Sequence, residues 1–120
     1  MTKAMLYTEL QIAAQIADAP WRDINARIKS LPGFLNKTWL AGVGNDSLGG
    51  LYQFESIETA QKFATAYFPT EARSFGVPQT TRIFDGDVVA DASKDMSSPH
   101  FGVSMGQAPG AYVYTEVQVS

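Results

Sequence analysis

The chain of 120 residues is long enough for one domain with a real core, since a domain near this size hides roughly two thirds of its unfolded surface. Apolar residues at 45% and charged residues at 18% place it with folded globular proteins rather than disordered chains. A net charge of −3 and scattered basic residues argue against a nucleic-acid partner; the lack of cysteine removes disulfides, thiolate catalysis and Cys-ligated zinc, and a lone histidine leaves metal sites poorly supplied. No apolar run reaches membrane-spanning length, and residues 1–3 lead into a strand-like alternation rather than a signal-peptide core, so a soluble cytoplasmic protein without a membrane partner is expected.

Residues 5–12 alternate, with Leu6, Leu10 and Ile12 on one face beside Thr8, and Tyr7, Glu9 and Gln11 on the other. That pattern predicts a first strand with one apolar side. Asp18 is placed to cap a helix with Pro20 in its first turn, and Trp21, Ile24, Ile28 and Leu31 recur at helical spacing until Pro32-Gly33 stops it. Residues 34–41 read as a second strand, 42–50 as a glycine-rich polar turn, and 51–55 as a third strand, making a hairpin. The turn, GVGNDSLGG, has neither the lysine nor the strand-to-helix setting of a phosphate cradle.

Ser56 caps the next predicted helix, whose Ala60, Phe63, Ala64 and Tyr67 form a buried stripe, and Pro69 is expected to end or kink it. After a further helical turn over 70–75, residues 80–84 read as a fourth strand. The order βαββαβ, with right-handed crossovers around an antiparallel hairpin, predicts a ferredoxin-like α+β fold with strand order 4-1-3-2 and both helices on one face of the sheet. The uncovered face implies a homodimer. The core thus spans 4–85, followed by a polar linker at 86–110. Residues 113–120, VYTEVQVS, nearly repeat LYTELQIA at 6–13, and predict an arm over 111–120 that adds an extra C-terminal strand to a sheet edge, more readily the partner's than its own.

The stretch PGFLNKTW at 32–39, GGLYQF at 49–54 with an alanine-bearing helix after it, and FGV followed by a strand ending in IFD at 83–85 resemble the YdhR-like putative monooxygenase family. The resemblance covers roughly residues 4–85. It implies the dimeric α+β barrel superfamily, alongside the antibiotic-biosynthesis monooxygenases, and a reaction that needs no metal or flavin: the substrate supplies electrons as its own anion inside a dry pocket. The implied ligand is a small planar aromatic or lactone-like molecule, and the implied activities are monooxygenation or a related isomerisation or cyclisation.

Candidate residues follow from strand parity. Tyr7, Glu9 and Gln11 point to the uncovered face, where Gln53 and Arg82 on the flanking strands join them; Glu9 with Arg82 can orient an acidic ligand, act as a base weakened by the neighbouring guanidinium, or form a cross-strand ion pair at a dimer interface. Trp39, Tyr52 and Tyr67 can wall a pocket that stacks a planar substrate, or simply fill core. Asn36 can offer a hydrogen bond to oxygen or an enolate, or satisfy local backbone, and His100, in the loop Ser-Ser-Pro-His-Phe-Gly, can act as a lid base or lie solvated. The competing function is a non-catalytic dimeric ligand-binding or assembly protein. A cavity on which at least two polar groups converge favours catalysis over assembly.

Overall fold

The computed structural model describes residues 4–11, 21–44, 47–69 and 79–101. Four antiparallel strands, β1 (Ala4–Gln11), β2 (Phe34–Ala41), β3 (Ser47–Phe54) and β4 (Gln79–Asp85), form one sheet in the order β2-β3-β1-β4. Helix α1 (Trp21–Lys29) joins β1 to β2, and α2 starts at Ile57–Lys62 between β3 and β4. This is the ferredoxin-like βαββαβ order, with the strand sequence expected from right-handed crossovers.

On β1 the buried Ala4, Leu6, Thr8 and Leu10 alternate with half-buried Met5, Tyr7 and Glu9. The buried set meets Ile24 and Ile28 of α1 and Ala60, Phe63 and Phe68 of α2 in one core, so both helices pack on the same face of the sheet. In α1 the i, i+4 pair Ile24 and Ile28 supplies the apolar stripe, while Asp23 in the first turn and Arg27 and Lys29 in the last suit the helix dipole. Gly33, at φ 77°, turns the chain from α1 into β2. Ser56 caps α2 as expected: its hydroxyl accepts the Thr59 N–H at 3.1 Å.

Three local features correct or extend the sequence reading. Strand β3 begins at Ser47 rather than 51, because Gly49 and Gly50, which carry no apolar signal, pair with Glu9 and Thr8 through backbone alone. Strand β2 carries a bulge between Phe34 and Asn36 that reverses its alternation. Helix α2 does not stop before Pro69 but widens into a π turn over Phe63–Tyr67, in which the Phe68 N–H donates to the Phe63 carbonyl five residues back. Proline explains the widening, since Pro69 has no N–H to close the next α-turn and its ring crowds the carbonyl of Thr65.

The chain groups into two compact units, Met1–Val89 and Ala90–Ser120. In the second, the stretch read as linker holds a short helix α3 (Ala90–Asp95) and a 3-10 turn, Pro99–Phe101. The Asp85 carboxylate accepts the N–H groups of Asp87 and Val88 at 3.0 and 3.3 Å, an Asx-type turn that ends β4. The helical turn expected over 70–75, the Asp18 cap with Pro20, and the strand arm over 111–120 lie outside the described residues.

Candidate functional site

The bulge in β2 decides which side chains meet. Strict alternation from Phe34 would send Asn36 and Thr38 toward the helices; with one extra residue at Leu35, Lys37 and Trp39 go there instead, opposite Tyr52 and Gly50 of β3. The Trp39 Nε1–H donates to Asn25 Oδ1 at 3.0 Å, which ties β2 to α1. The Lys37 ammonium folds back over the Trp39 ring, 3.3 Å from its centroid, and lies 4.8 Å from that of Tyr52. Room for the lysine stem comes from Gly50, where a Cβ would stand 2.6 Å from Lys37 Cε.

The π turn shapes the opposite wall. At about 4.4 residues per turn, positions i+4 and i+5 both return to the face of position i, so Tyr67 and Phe68 both stack on Phe63, with centroids 5.4 and 5.9 Å away. Phe63 in turn packs on Tyr52 at 4.8 Å and on Phe54 at 5.4 Å.

Between these walls lies an internal cavity of about 30 Å³. Trp39, Tyr52 and Tyr67, the three aromatics expected to wall a pocket, all line it, and Thr8 and Lys37 join a largely apolar lining that includes Leu10, Ile24 and Ile28. Its volume fits one or two waters but no aromatic ring. A larger groove of about 250 Å³ opens beside it, lined by Leu31, Pro32, Phe54, Thr59, Lys62, Phe63, Ala66 and again Tyr67. Tyr67 is therefore the wall shared by the two spaces.

Of the remaining candidates, Tyr7, Glu9, Asn36, Gln53 and Arg82 share the other face of the sheet. Arg82 pairs with Tyr7, and Glu9 with Thr80, so Glu9 and Arg82 share that face as diagonal neighbours, a separation of roughly 7–8 Å. Gln53, 8% exposed, pairs with Met5 and accepts the Asn36 Nδ2–H at 3.1 Å, so these two candidates hold each other. Gln11 pairs with Ser47 at the end of β1. His100 belongs to the second unit, where its backbone N–H donates to Ser98 Oγ at 3.2 Å. The candidates thus divide into an aromatic pocket on the helix side, a polar row on the far side and a separate histidine.

Sequence reasoning missed Lys37 and Thr8. The bulge hid Lys37, although a lysine two places before a tryptophan within an apolar strand is a usable signal. Thr8 was placed on the apolar face of the first strand without being named a site residue. Among the described residues no cluster of three or more His, Asp or Glu forms that could hold a metal, and no helix is long and apolar enough to cross a membrane.

Two solved structures share the fold. One is the monooxygenase ActVA-Orf6 of Streptomyces coelicolor, in complex with the ligand Nanaomycin D, at 14% identity and TM-score 0.53 over 70% of this chain and 87% of that one. The other is SnoaB, a cofactor-independent oxygenase from Streptomyces nogalater, in a mutant form, at 14% identity and TM-score 0.50 over 68% of this chain and 90% of that one. At such identity the likeness is one of fold. No curated protein matches the chain by sequence. The model of the family described as "Putative mono-oxygenase ydhR" matches residues 6–96, and the chain belongs to that family.

Proposed function

We propose that the protein is a cofactor-independent monooxygenase of a small planar aromatic or lactone-like molecule, bound between the sheet and the helices. The observation that carries this reading is the lining of one cavity between sheet and helices by Trp39, Tyr52 and Tyr67 together with Thr8 and Lys37. SnoaB, a fold neighbour, is described as a cofactor-independent oxygenase, and that description suggests the chemistry. The substrate enters from the groove by displacing the Tyr67 ring, and the joined volume approaches the lower end, about 300 Å³, of small-molecule sites.

The acidic CH₂ group of an anthrone, conjugated through the fused rings with the carbonyl on the opposite side of the central ring, loses its proton to water before the ring is enclosed. The resulting carbanion gives one electron to O₂, and the radical pair recombines into a carbon–oxygen bond. The peroxide takes up a proton and expels water, leaving a carbonyl. Overall, CH₂ and O₂ become C=O and H₂O, with the substrate as the reductant. The aromatic walls orient the ring and exclude water.

On the far face Met5, Tyr7, Leu40, Leu51 and Phe84 form a half-buried apolar surface suited to a second copy of the chain, so the working unit is a homodimer. A non-catalytic dimeric ligand-binding or assembly protein is the second reading, favoured by the cavity's volume of about 30 Å³. The two separate by oxygen consumption. Purified protein treated with chelator should take up one O₂ per anthrone consumed, well above the buffer rate, and a panel of anthrones and quinols giving no uptake leaves the binding reading.

A further inference from the structure

We infer that the cavity of about 30 Å³ is a dioxygen site, and that the organic ring lies beside it in the groove of about 250 Å³, with Tyr67 between the two. The inference rests on the oxygenase reading for its purpose, and it gives each of the two reactants a space of its own. Three observations carry it. The cavity is too small for an aromatic ring but large enough for a diatomic gas, a molecule little bigger than water. Its lining is mostly aliphatic and aromatic, with Leu10, Ile24, Ile28, Leu48 and Phe68 around it. Tyr67 lines both spaces, so gas and ring are separated by one side chain.

Water is the competing occupant, and a buried water needs about two to four polar partners. The lining is poorly equipped to supply them. The Trp39 N–H is given to Asn25 at 3.0 Å, and the Lys37 ammonium rests 3.3 Å from the Trp39 ring centroid and 4.8 Å from that of Tyr52. Thr8, 1% exposed, adds a hydroxyl to a wall shared with leucine and isoleucine. Dioxygen asks for no hydrogen bond and gains by leaving water, as a small apolar solute does. Displacement of the Tyr67 ring then brings the gas and the organic anion into one enclosed space, so their encounter no longer depends on diffusion from solvent.

The test uses the gas itself, because dissolved oxygen is paramagnetic and speeds the relaxation of protons it touches. Under oxygen, compared with nitrogen at the same pressure, the methyl groups of Leu10, Ile24 and Ile28 should gain relaxation at least about threefold beyond those of Ala4 and Ala60, which are fully buried but do not line the cavity. Leu48→Phe fills the cavity and should bring the isoleucine methyls down to the alanine level. On anthrones the same variant should raise the KM for oxygen at least about tenfold and leave the KM for the anthrone within about twofold. Equal gains at the isoleucine and alanine methyls of the wild type overturn the inference. So do magnetisation transfer from a resident water to Ile24 and Ile28 that persists under oxygen, an undiminished gain in folded Leu48→Phe, and an unchanged KM for oxygen in that variant. If Leu48→Phe does not fold, the wild-type comparison decides alone. Oxygen uptake on anthrones without the methyl signal keeps the oxygenase and removes the gas site; the signal without uptake keeps the site and removes the oxygenase.

Discussion

Gly49 and Gly50 are neighbours on β3, yet alanine at each position should have different consequences, because the two missing Cβ atoms would meet different obstacles. At Gly50 the nearest atom is Lys37 Cε at 2.6 Å, followed by Thr38 O and Tyr52 Cε1 at 3.2 Å. The lysine stem is flexible and moves about 1 Å to reach normal contact. Displacing the ammonium from its rings forfeits roughly 0.5–2 kcal/mol, and replacing a strand glycine by alanine returns about 0.5–1 kcal/mol. Gly50→Ala should therefore lie between a loss of about 1.5 and a gain of about 0.5 kcal/mol. At Gly49 the added Cβ runs into the backbone carbonyl oxygen of Thr8 on the paired strand, with the Glu9 Cα at 3.0 Å. Only a parting of β1 and β3 relieves that clash, and overpacking of about 1–3 kcal/mol joins a weakened ladder bond of about 1 kcal/mol. With the same return of about 0.5–1 kcal/mol for a strand glycine, Gly49→Ala should cost about 1–3.5 kcal/mol. Urea unfolding followed by tryptophan fluorescence measures both, with unchanged slope expected for each. Equal losses, or a larger loss at Gly50, would refute the assigned obstacles and with them the lysine's position.

Two further outcomes are expected. Trp39→Phe and Asn25→Ala should each cost about 1–2 kcal/mol through the 3.0 Å bond between β2 and α1, and a double-mutant cycle should show coupling of at least about 0.5 kcal/mol; additive losses mean the bond contributes nothing. Light scattering at micromolar concentration should give about twice the 13.0 kDa chain mass, and removal of residues 111–120 should weaken that dimer or promote aggregation; a clean monomer, or a truncated protein equally dimeric and soluble, rejects the expected interface or arm.

The fold was legible where side chains report the environment directly. Alternating Leu6 and Leu10 with Tyr7 and Glu9 tells strand and face together, and Ser56 ahead of Ala60 and Phe63 tells where α2 begins and which side it buries. It was illegible where backbone decides. Gly49 and Gly50 pair as well as any strand residue but carry no side chain to show it, so β3 was read four residues short. The bulge at Leu35 leaves no compositional trace, and it moves Lys37 to the helix side and Asn36 to the far side. Trp39, Tyr52 and Tyr67 were recognised as a group by their ring chemistry. Trp39 joins them only through that bulge, and Phe68 joins the same wall only through the π turn, neither of which was visible in the sequence.

The proline at the end of α2 links these backbone irregularities to the pocket. An α-helix through Phe68 would place residue 67 on the stripe with Phe63 and turn residue 68 about 140° away from it, so one of the two aromatics would lie off the cavity. By withholding an N–H, Pro69 favours the wider turn, and the wider turn puts both rings over Phe63. The consequence is a wall built from the least regular hydrogen bonding of the helix, while the opposite wall is a four-stranded sheet pinned to α1 through Trp39 and Asn25. Motion needed to join a cavity of about 30 Å³ to a groove of about 250 Å³ therefore falls on the Tyr67 ring and its turn, leaving the charged side of the pocket in place.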